Sequence, residues 1–279
     1  MFEEFPTIEI IPLDKLVVHE WHDDQRTPAL VERLKSSGLL QNPPIVSPFK
    51  DGTGRYMVLD GANRTTALQR MGFPHVLAQI VEPDAPTLDL RTWNHVCWGL
   101  PPEEFFSGIA SLPGIRLEPL HDEEEAFRQL YNRTLLALIQ TPDELTHAAI
   151  ADAHGPAQHI HFLNAIVDSY KTHCHLDRTR VRKITALDAT YENLSALVVF
   201  PPLTMQEVLD ACGAGELLPP GVTRFSVSPR ALRVNYPLEQ LASDQPLQAK
   251  NEFLARWIQE RVARKGVRFY AEPTVLFDE

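Results

Sequence analysis

The chain has few cysteines, no long apolar run and no leader-like N-terminus. Its three cysteines, Cys97, Cys174 and Cys212, are widely spaced and form no CxxC pair, which is typical of reduced thiols and argues against a disulfide framework. No stretch approaches the roughly 18 apolar residues that span a bilayer. The N-terminus carries Glu3 and Glu4 and lacks the basic region and apolar stretch of a secretory signal. We therefore predict a cytoplasmic protein without a membrane segment.

Basic residues are also fewer than acidic ones. The chain has 26 Lys and Arg against 37 Asp and Glu, a formal net charge of −11. A protein that binds nucleic acid by neutralising phosphates needs a basic face. The densest basic stretch, Arg178 to Lys183, is short enough to be an ordinary solvated helix face. The charge balance therefore argues against a nucleic-acid partner.

A metal-binding motif is missing as well, although the region from 147 to 175 is rich in histidine. No HExxH motif or second CxxC accompanies these side chains, so nothing fixes a tetrahedral ligand set. We interpret them as polar surface groups or satisfied core groups. They are His147, His154, His159, His161, His173 and His175.

What is present is a globular composition, with 279 residues, 44% of them hydrophobic and 23% charged. This length accommodates a domain of about 85 residues and a larger partner, and the stretch from Pro83 to Pro86 is the expected boundary. We predict domains at 1–85 and 86–279, the second of α+β class. Helical periodicity covers 101–112, 123–140, 158–171, 203–211 and 248–265, and strands are expected at 197–200, 224–228, 232–236 and 267–277.

The most informative segment runs from Arg55 to Gly72. An alternating strand leads into Asp60-Gly61, and a helix is predicted to begin within a residue or two. The first N–H groups of a helix lack intrahelical partners and carry the positive end of its dipole, so a phosphate is the natural occupant of such a corner. Arg64 adds a bidentate donor. The alternative is an ordinary strand-turn-helix with a capping Asp and a solvated Arg.

The surrounding elements give this segment a context. A helix is expected from Thr27 to about Ser37, followed by the loop GLLQNPP, a strand at Ile45, a hairpin turn at 51–54, the strand and helix just described, and a strand at 75–81. From about Ile8 to Glu82 this order resembles the ParB-like domain, which chromosome-partitioning proteins, sulfiredoxin and a group of small-molecule kinases share. Sulfiredoxin chemistry needs a cysteine in the phosphate turn, and this turn has none.

The resemblance implies roles for two loops. The arginine-bearing turn would hold nucleotide phosphates, and the GLLQ-type loop would lie near the base. The residues concerned are Gly61, Ala62, Asn63, Arg64 and Thr65 in the turn, and Gly38, Leu39, Gln41 and Pro43 in the loop up to Pro44.

A kinase also needs a base for the acceptor hydroxyl. Glu20, between the first strand and the first long helix, is the candidate, because a carboxylate can take the hydroxyl proton while Mg²⁺ and positive donors neutralise the transferred group. Asp23 and Asp24 compete for this role, and a Glu in a polar loop is often simply solvated.

Two distal segments extend the resemblance. They are TWNH at 92–95 and PPGVTRFSVSPR at 219–230, followed by ALRVNYPL. Together with Glu20 and DGANR they resemble, over nearly the whole chain, the free L-serine kinases, which include archaeal ADP-dependent enzymes and the kinase of the staphyloferrin B siderophore pathway. The family commonly has His where this chain has Asn63, and Asn cannot carry a proton at neutral pH.

That resemblance implies an active site in a cleft between the two domains. Glu20 would be the catalytic base, and Asp60 with the DGANR turn would hold phosphates and Mg²⁺. The serine would be enclosed by Trp93, His95, Thr223 and Arg224, with Arg224 forking onto its carboxylate. On sequence grounds alone, Trp93 is equally suited to a core aromatic cluster and Arg224 to a surface strand edge.

We therefore predict a cytoplasmic small-molecule kinase that uses Mg²⁺ and either ATP or ADP to convert free L-serine to O-phospho-L-serine. The alternatives are a nucleotide-binding ParB-like regulatory or DNA-associated protein without kinase activity, and a kinase for a different hydroxylated metabolite. The sequence leaves open the donor, the pathway and the oligomeric state.

Overall fold

The computed structural model describes residues 5–21, 27–187 and 191–270, and these ranges contain the following elements. The strands are β1 (Ile8–Pro12), β2 (Leu16–Val18), β3 (Leu39–Leu40), β4 (Ile45–Pro48), β5 (Tyr56–Asp60), β6 (His75–Ile80), β7 (Leu88–Thr92), β8 (Asn94–Trp98), β9 (Ile115–Leu120), β10 (Ala137–Gln140), β11 (Thr146–Ala151), β12 (His175–Thr179), β13 (Leu194–Val199), β14 (Thr223–Val227) and β15 (Tyr236–Pro237). The helices are α1 (Thr27–Ser37), α2 (Ala62–Arg70), α3 (Pro102–Ala110), α4 (Glu123–Tyr131), α5 (Pro156–Asp168), α6 (Met205–Gly213), α7 (Leu238–Ala242) and α8 (Leu247–Ala263).

The first sheet has the order β1-β6-β4-β5-β2. β4 and β5 form the predicted hairpin, while β2 runs parallel to β5 with Leu16 opposite Tyr56. Because parallel strands end at the same edge of a sheet, Glu20 after β2 and Asp60 at the end of β5 emerge together. This edge is where the candidate site lies.

The second sheet has the order β12-β8-β13-β10-β11-β9 and is antiparallel throughout. Its side chains alternate between two cores, as the pleat requires. Cys97 and Ile139 face the larger core, which includes buried residues of α3, α5 and α6, whereas Val96 and Leu138 face the core under α4. Both faces of this sheet are therefore covered.

Two small ribbons link these layers. β14 pairs with β7, with Thr223 opposite Thr92, and β15 pairs with β3, with Tyr236 opposite Leu40. Helix α8 packs beside β1, where Nδ2 of Asn251 donates to the Ile10 carbonyl at 2.8 Å. The last part of the described chain thus packs on the first sheet, and the division into 1–85 and 86–279 stays a prediction.

Four sequence expectations need correction. The helix expected at 123–140 ends at Tyr131, because 137–140 form β10, a strand buried at every residue between two neighbours. In 232–236 only Tyr236 is in a strand, since Arg233 and Asn235 have positive φ of 51° and 52°. Residues 267–270 form no strand, and the rest of that expected strand lies outside the described residues.

The fourth correction concerns Arg178 to Lys183, which is not a helix face. Arg178 lies in β12 opposite His95 of β8, and 180–183 continue as non-helical chain. None of the helices in the described ranges combines the length and apolar character that a membrane span requires.

Candidate active site

A cavity of about 1190 Å³ lies between the first sheet and the second. Glu20, Asp60 and Arg64 line it from the first sheet and α2, and Arg178 and Gly221 line it from the opposite side. We call this cavity the cleft. It contains the predicted base and most of the predicted phosphate turn.

The phosphate corner has the predicted form, since α2 begins at Ala62, directly after Gly61. Gly61 has φ 95°, and a Cβ atom there would lie 2.8 Å from Nη2 of Arg64, so only glycine fits without displacing the arginine. No side chain caps this helix. Asn63 Oδ1, Arg64 Nε and Thr65 Oγ1 are shielded from solvent and have no hydrogen-bond partner among the described residues. Asn63 and Arg64 line the cleft, so their uncompensated polar atoms favour a polar ligand at the corner.

Asp60 connects two arginines at the edge of the corner. Its Oδ2 accepts from Nη2 of Arg64 at 3.2 Å and from Arg230. The Asp60 side chain is nevertheless 43% exposed, so its carboxylate also reaches the cleft. The described residues contain no group of three or more His, Cys, Asp or Glu that could cage a metal. One carboxylate still fits Mg²⁺, which proteins commonly hold through one or two carboxylates together with substrate phosphates and water.

Glu20 is held in place by the distal segments that the sequence singled out. Its Oε2 accepts from the Gly221 N–H at 3.1 Å and from Oγ1 of Thr223 at 3.1 Å, while a bridge to Leu218 fixes its backbone. The side chain is 21% exposed. Because no group among the described residues donates to Oε1, this second oxygen is free to meet a substrate hydroxyl. Asp23 and Asp24, the competing candidates, lie outside the described residues.

His19, next to Glu20, was missed by the sequence reasoning. Its Nδ1 lies 2.6 Å from the Val58 carbonyl, which can only accept, so Nδ1 carries the hydrogen. Its Nε2 lies 2.7 Å from Oγ1 of Thr223. Burial lowers the pKa of His19 below its usual value, although the Glu20 carboxylate opposes the shift. Thr223 Oγ1 thus lies between Glu20 and neutral His19, and its one hydrogen is donated either to Oε2 of Glu20 or to Nε2 of His19. The only sequence signal for His19 was its adjacency to Glu20.

His95 supports the cleft wall from behind. It is fully buried, with Nδ1 2.8 Å from the Tyr170 hydroxyl and Nε2 3.1 Å from the Gly221 carbonyl. Burial lowers its pKa to about 4, so it is neutral at pH 7. Its contact with Gly221 fixes the loop whose N–H binds Glu20, and it does not line the cleft.

Trp93 and Arg224 lie away from the cleft. The Arg224 guanidinium carbon lies 4.8 Å from the centre of the Trp93 ring, and neither residue lines the cleft. Successive side chains of a strand point to opposite faces. Since Thr223 points to Glu20, Arg224 points the other way and lines a second cavity. Its position does not support the predicted grip on the substrate carboxylate.

Only some residues of the GLLQ-type loop line the cleft. Leu39 and Gln41 line the cleft, whereas Gly38 and Pro43 do not. Within the phosphate turn, Gly61 to Arg64 line the cleft and Thr65 does not. Their binding roles stay predictions.

Arg178 is a cleft residue that the sequence reasoning assigned to a solvated face. It packs against Gly221, where φ is 74° and a Cβ atom would lie 2.8 Å from Cδ of Arg178. Among the described residues no carboxylate lies within ion-pair distance of it. Its guanidinium is therefore available to an anionic group in the cleft.

No family model matches the chain. Across nearly its whole length it is similar to the ATP-dependent L-serine kinase SbnI of Staphylococcus aureus, with 25% identity over 277 residues, 98% of this chain and 97% of the relative. A shorter match, 34% identical over 84 residues, links 30% of this chain to 33% of an ATP-dependent L-serine kinase from Staphylothermus marinus.

Solved structures agree on the fold. A C-terminally truncated SbnI from Staphylococcus aureus has a TM-score of 0.69 at 24% identity, covering 92% of this chain and 97% of that one. A free serine kinase in complex with AMP has a TM-score of 0.69 at 19% identity, covering 86% and 98%. These likenesses confirm the predicted fold class.

Proposed function

Because the chain belongs to the family of ParB-like-domain free L-serine kinases, we propose that it transfers the terminal phosphoryl group of an adenine nucleotide to the hydroxyl of free L-serine. The product is O-phospho-L-serine. The observation that supports the proposal is that Glu20 and the uncapped N-terminus of α2 line the same cleft. The chain is also similar to a serine kinase over 98% of its length.

The phosphates are assigned to the corner at Gly61. The free N–H groups of the first turn of α2 and the Arg64 side chain donate to phosphate oxygens, and Asp60 keeps Arg64 oriented through its ion pair. Asp60 is also the residue that would hold Mg²⁺. The metal, when bound, would neutralise charge on the transferred group.

Glu20 is assigned the role of general base. Its Oε1 accepts the proton of the serine hydroxyl while the serine oxygen forms a bond to the terminal phosphorus and the bond from that phosphorus to the nucleotide oxygen breaks. The proton then has an exit. Rotation of the carboxyl group brings the protonated oxygen to Oγ1 of Thr223, where it donates its proton while the hydroxyl hydrogen of Thr223 passes to Nε2 of neutral His19.

The serine carboxylate is assigned to Arg178 in place of Arg224. Arg178 lines the cleft next to the Gly221 loop that holds Glu20, and its planar fork matches a carboxylate. His95 contributes through the same loop, by fixing the Gly221 carbonyl.

ATP is the proposed donor, because the relatives from Staphylococcus aureus and Staphylothermus marinus both bear the name ATP-dependent. ADP, Mg²⁺, the cytoplasmic location and the absence of a nucleic-acid partner stay predictions. The deciding experiment incubates the full chain with L-serine, Mg²⁺ and either ATP or ADP, and detects phosphoserine by mass spectrometry. We expect phosphoserine that disappears with EDTA. Nucleotide binding without a phosphorylated product would favour the regulatory alternative, and a product formed only from another hydroxylated metabolite would reassign the substrate.

A further inference from the structure

A second cavity, of about 650 Å³, lies on the opposite side of the β7–β14 ribbon from the cleft. Its volume is within the range of small-molecule sites. Four arginines line it, namely Arg91, Arg180, Arg182 and Arg224, and no aspartate or glutamate does so within the described part of the chain. We call it the arginine cavity. In a chain of net charge −11, a cavity whose charged lining residues, among those described, are all cations points to an anionic ligand.

Three of these arginines are without a carboxylate partner in the described ranges. Arg91 is the exception, since its Nε donates to Asp89 at 2.6 Å. Arg224 lies over the Trp93 ring, and Arg182 lies 5.5 Å from the centre of the Tyr131 ring and donates to its hydroxyl. Aromatic contacts orient a guanidinium while leaving its charge uncompensated. Most of their N–H donors therefore remain available.

The backbone that carries Arg180 and Arg182 is fixed by two buried amides. Nδ2 of Asn94 donates to the Val181 carbonyl at 2.7 Å, and Nε2 of Gln140 donates to the Arg182 carbonyl at 2.9 Å. Asn94 and Gln140 are 4% and 5% exposed. A non-helical segment held in this way presents its arginines in a preorganised arrangement, which lowers the ordering cost of binding.

We propose that the arginine cavity binds an anionic small molecule carrying at least two carboxylate or phosphate groups, at a site separate from the cleft. Three guanidinium groups match several anionic groups on one ligand, since each can form a paired hydrogen bond with a carboxylate or a phosphate. The site stands on its own residues and does not depend on the proposed kinase activity. Arg224 follows Thr223 in β14, and Thr179 follows Arg178 in β12. A ligand bound to Arg224 and Thr179 would therefore lie close to two residues assigned to the proposed active site.

The test is calorimetric titration of the full chain with citrate and, separately, with inorganic pyrophosphate. We expect one or both to bind, and the Arg182→Ala/Arg224→Ala double variant to lose about tenfold or more in affinity. Arg116→Ala, on β9, should bind the same probe as the wild type does, whereas any pyrophosphate affinity that only Arg64→Ala loses belongs to the phosphate corner of the cleft. Citrate alone binding would identify a carboxylate ligand, and pyrophosphate alone a phosphate ligand.

Arg180→Ala keeps the test decisive if the double variant does not fold, because this exposed side chain has no partner within the described residues. We expect it to weaken binding about threefold or more. Three results would overturn the proposal: no binding of either probe to the wild type, equal loss in Arg116→Ala, or wild-type affinity in both arginine-cavity variants. Salt-sensitive binding of an oligonucleotide with no binding of either probe would instead assign this face to nucleic acid.

Discussion

The cleft and the arginine cavity flank the same ribbon, but they differ in whether carboxylates accompany their arginines. In the cleft, Asp60 pairs with Arg64 and Arg230, and Glu20 is held by hydrogen bonds beside Arg178. The arginine cavity has cations and no described carboxylate. Phosphoryl transfer needs a base and a metal ligand as well as phosphate donors, whereas recognition of an anion needs only the donors. Carboxylates therefore distinguish the site equipped for chemistry from the site equipped for binding.

The largest expected effect comes from removing the base of the cleft. Glu20→Gln keeps the size of the side chain and can still accept from Gly221 and Thr223, but it cannot take a proton at neutral pH. We expect kcat to fall by about 10²-fold or more, equivalent to roughly 2.7 kcal/mol, with nucleotide affinity retained. Steady-state kinetics and nucleotide titration measure both quantities. Glu118→Gln on β9 is the matched control, and unchanged turnover in Glu20→Gln would exclude Glu20 as the base.

The next effect concerns the phosphate corner. Arg64→Ala removes a donor to the nucleotide while Arg230 still pairs with Asp60. We expect nucleotide affinity to fall about 10- to 100-fold, measured by calorimetry with ATP and ADP. Arg116→Ala serves as the control. If nucleotide binds Arg64→Ala as tightly as the wild type, the phosphates lie elsewhere and the contrast between the two cavities loses its basis.

A smaller effect is expected at the serine carboxylate. Arg178→Lys keeps the charge but loses the planar fork, so the KM for serine should rise about tenfold. Serinamide has no carboxylate, so it should be a poor substrate of the wild type and lose little more in the variant. Arg116→Lys controls for the substitution. Equal losses with serine and serinamide would show that Arg178 supports the Gly221 loop and does not bind the substrate.

The phosphate corner could be predicted because its signals are local. The residues from Arg55 to Gly72 indicate an alternating strand that leads into Asp60-Gly61 and a helix that begins within a residue or two, and the structure places α2 as expected. Helix α1 likewise has its predicted bounds. Glu20 was found with the help of the family resemblance, and its distal partner Thr223 was named for the site on the same basis.

The roles of the arginines could not be predicted in this way, because they depend on pairing between distant strands. Arg178 enters the cleft only because β12 pairs with β8, and a short basic stretch carries no sign of that contact. Arg224 is different. Successive side chains of a strand point to opposite faces, so when Thr223 contacts Glu20, Arg224 points away from Glu20. The sequence alone was therefore sufficient to predict that only one of these two residues can face Glu20.

The smallest expected effect tests the proton exit from Glu20. Thr223→Val removes the hydroxyl between Glu20 and His19 while keeping the shape of the side chain, and we expect kcat to fall about three- to tenfold with little change in nucleotide affinity. Thr141→Val is the matched control, because Thr141 is also buried and donates to a carboxylate, that of Asp143, outside both cavities.

The pH profile of kcat separates a relay from simple support. The pKa of His19 is lowered by burial, so its Nε2 takes up a proton only below the pH range in which an ordinary histidine does so. A relay then requires the wild-type rate to hold until His19 becomes protonated, and to fall below that pH. Thr223→Val disconnects His19, so its rate should no longer fall as His19 becomes protonated. If Thr223 merely positions Glu20, the variant should lose the same factor at every pH and keep the wild-type limb, because His19 would then have no part in the proton's path.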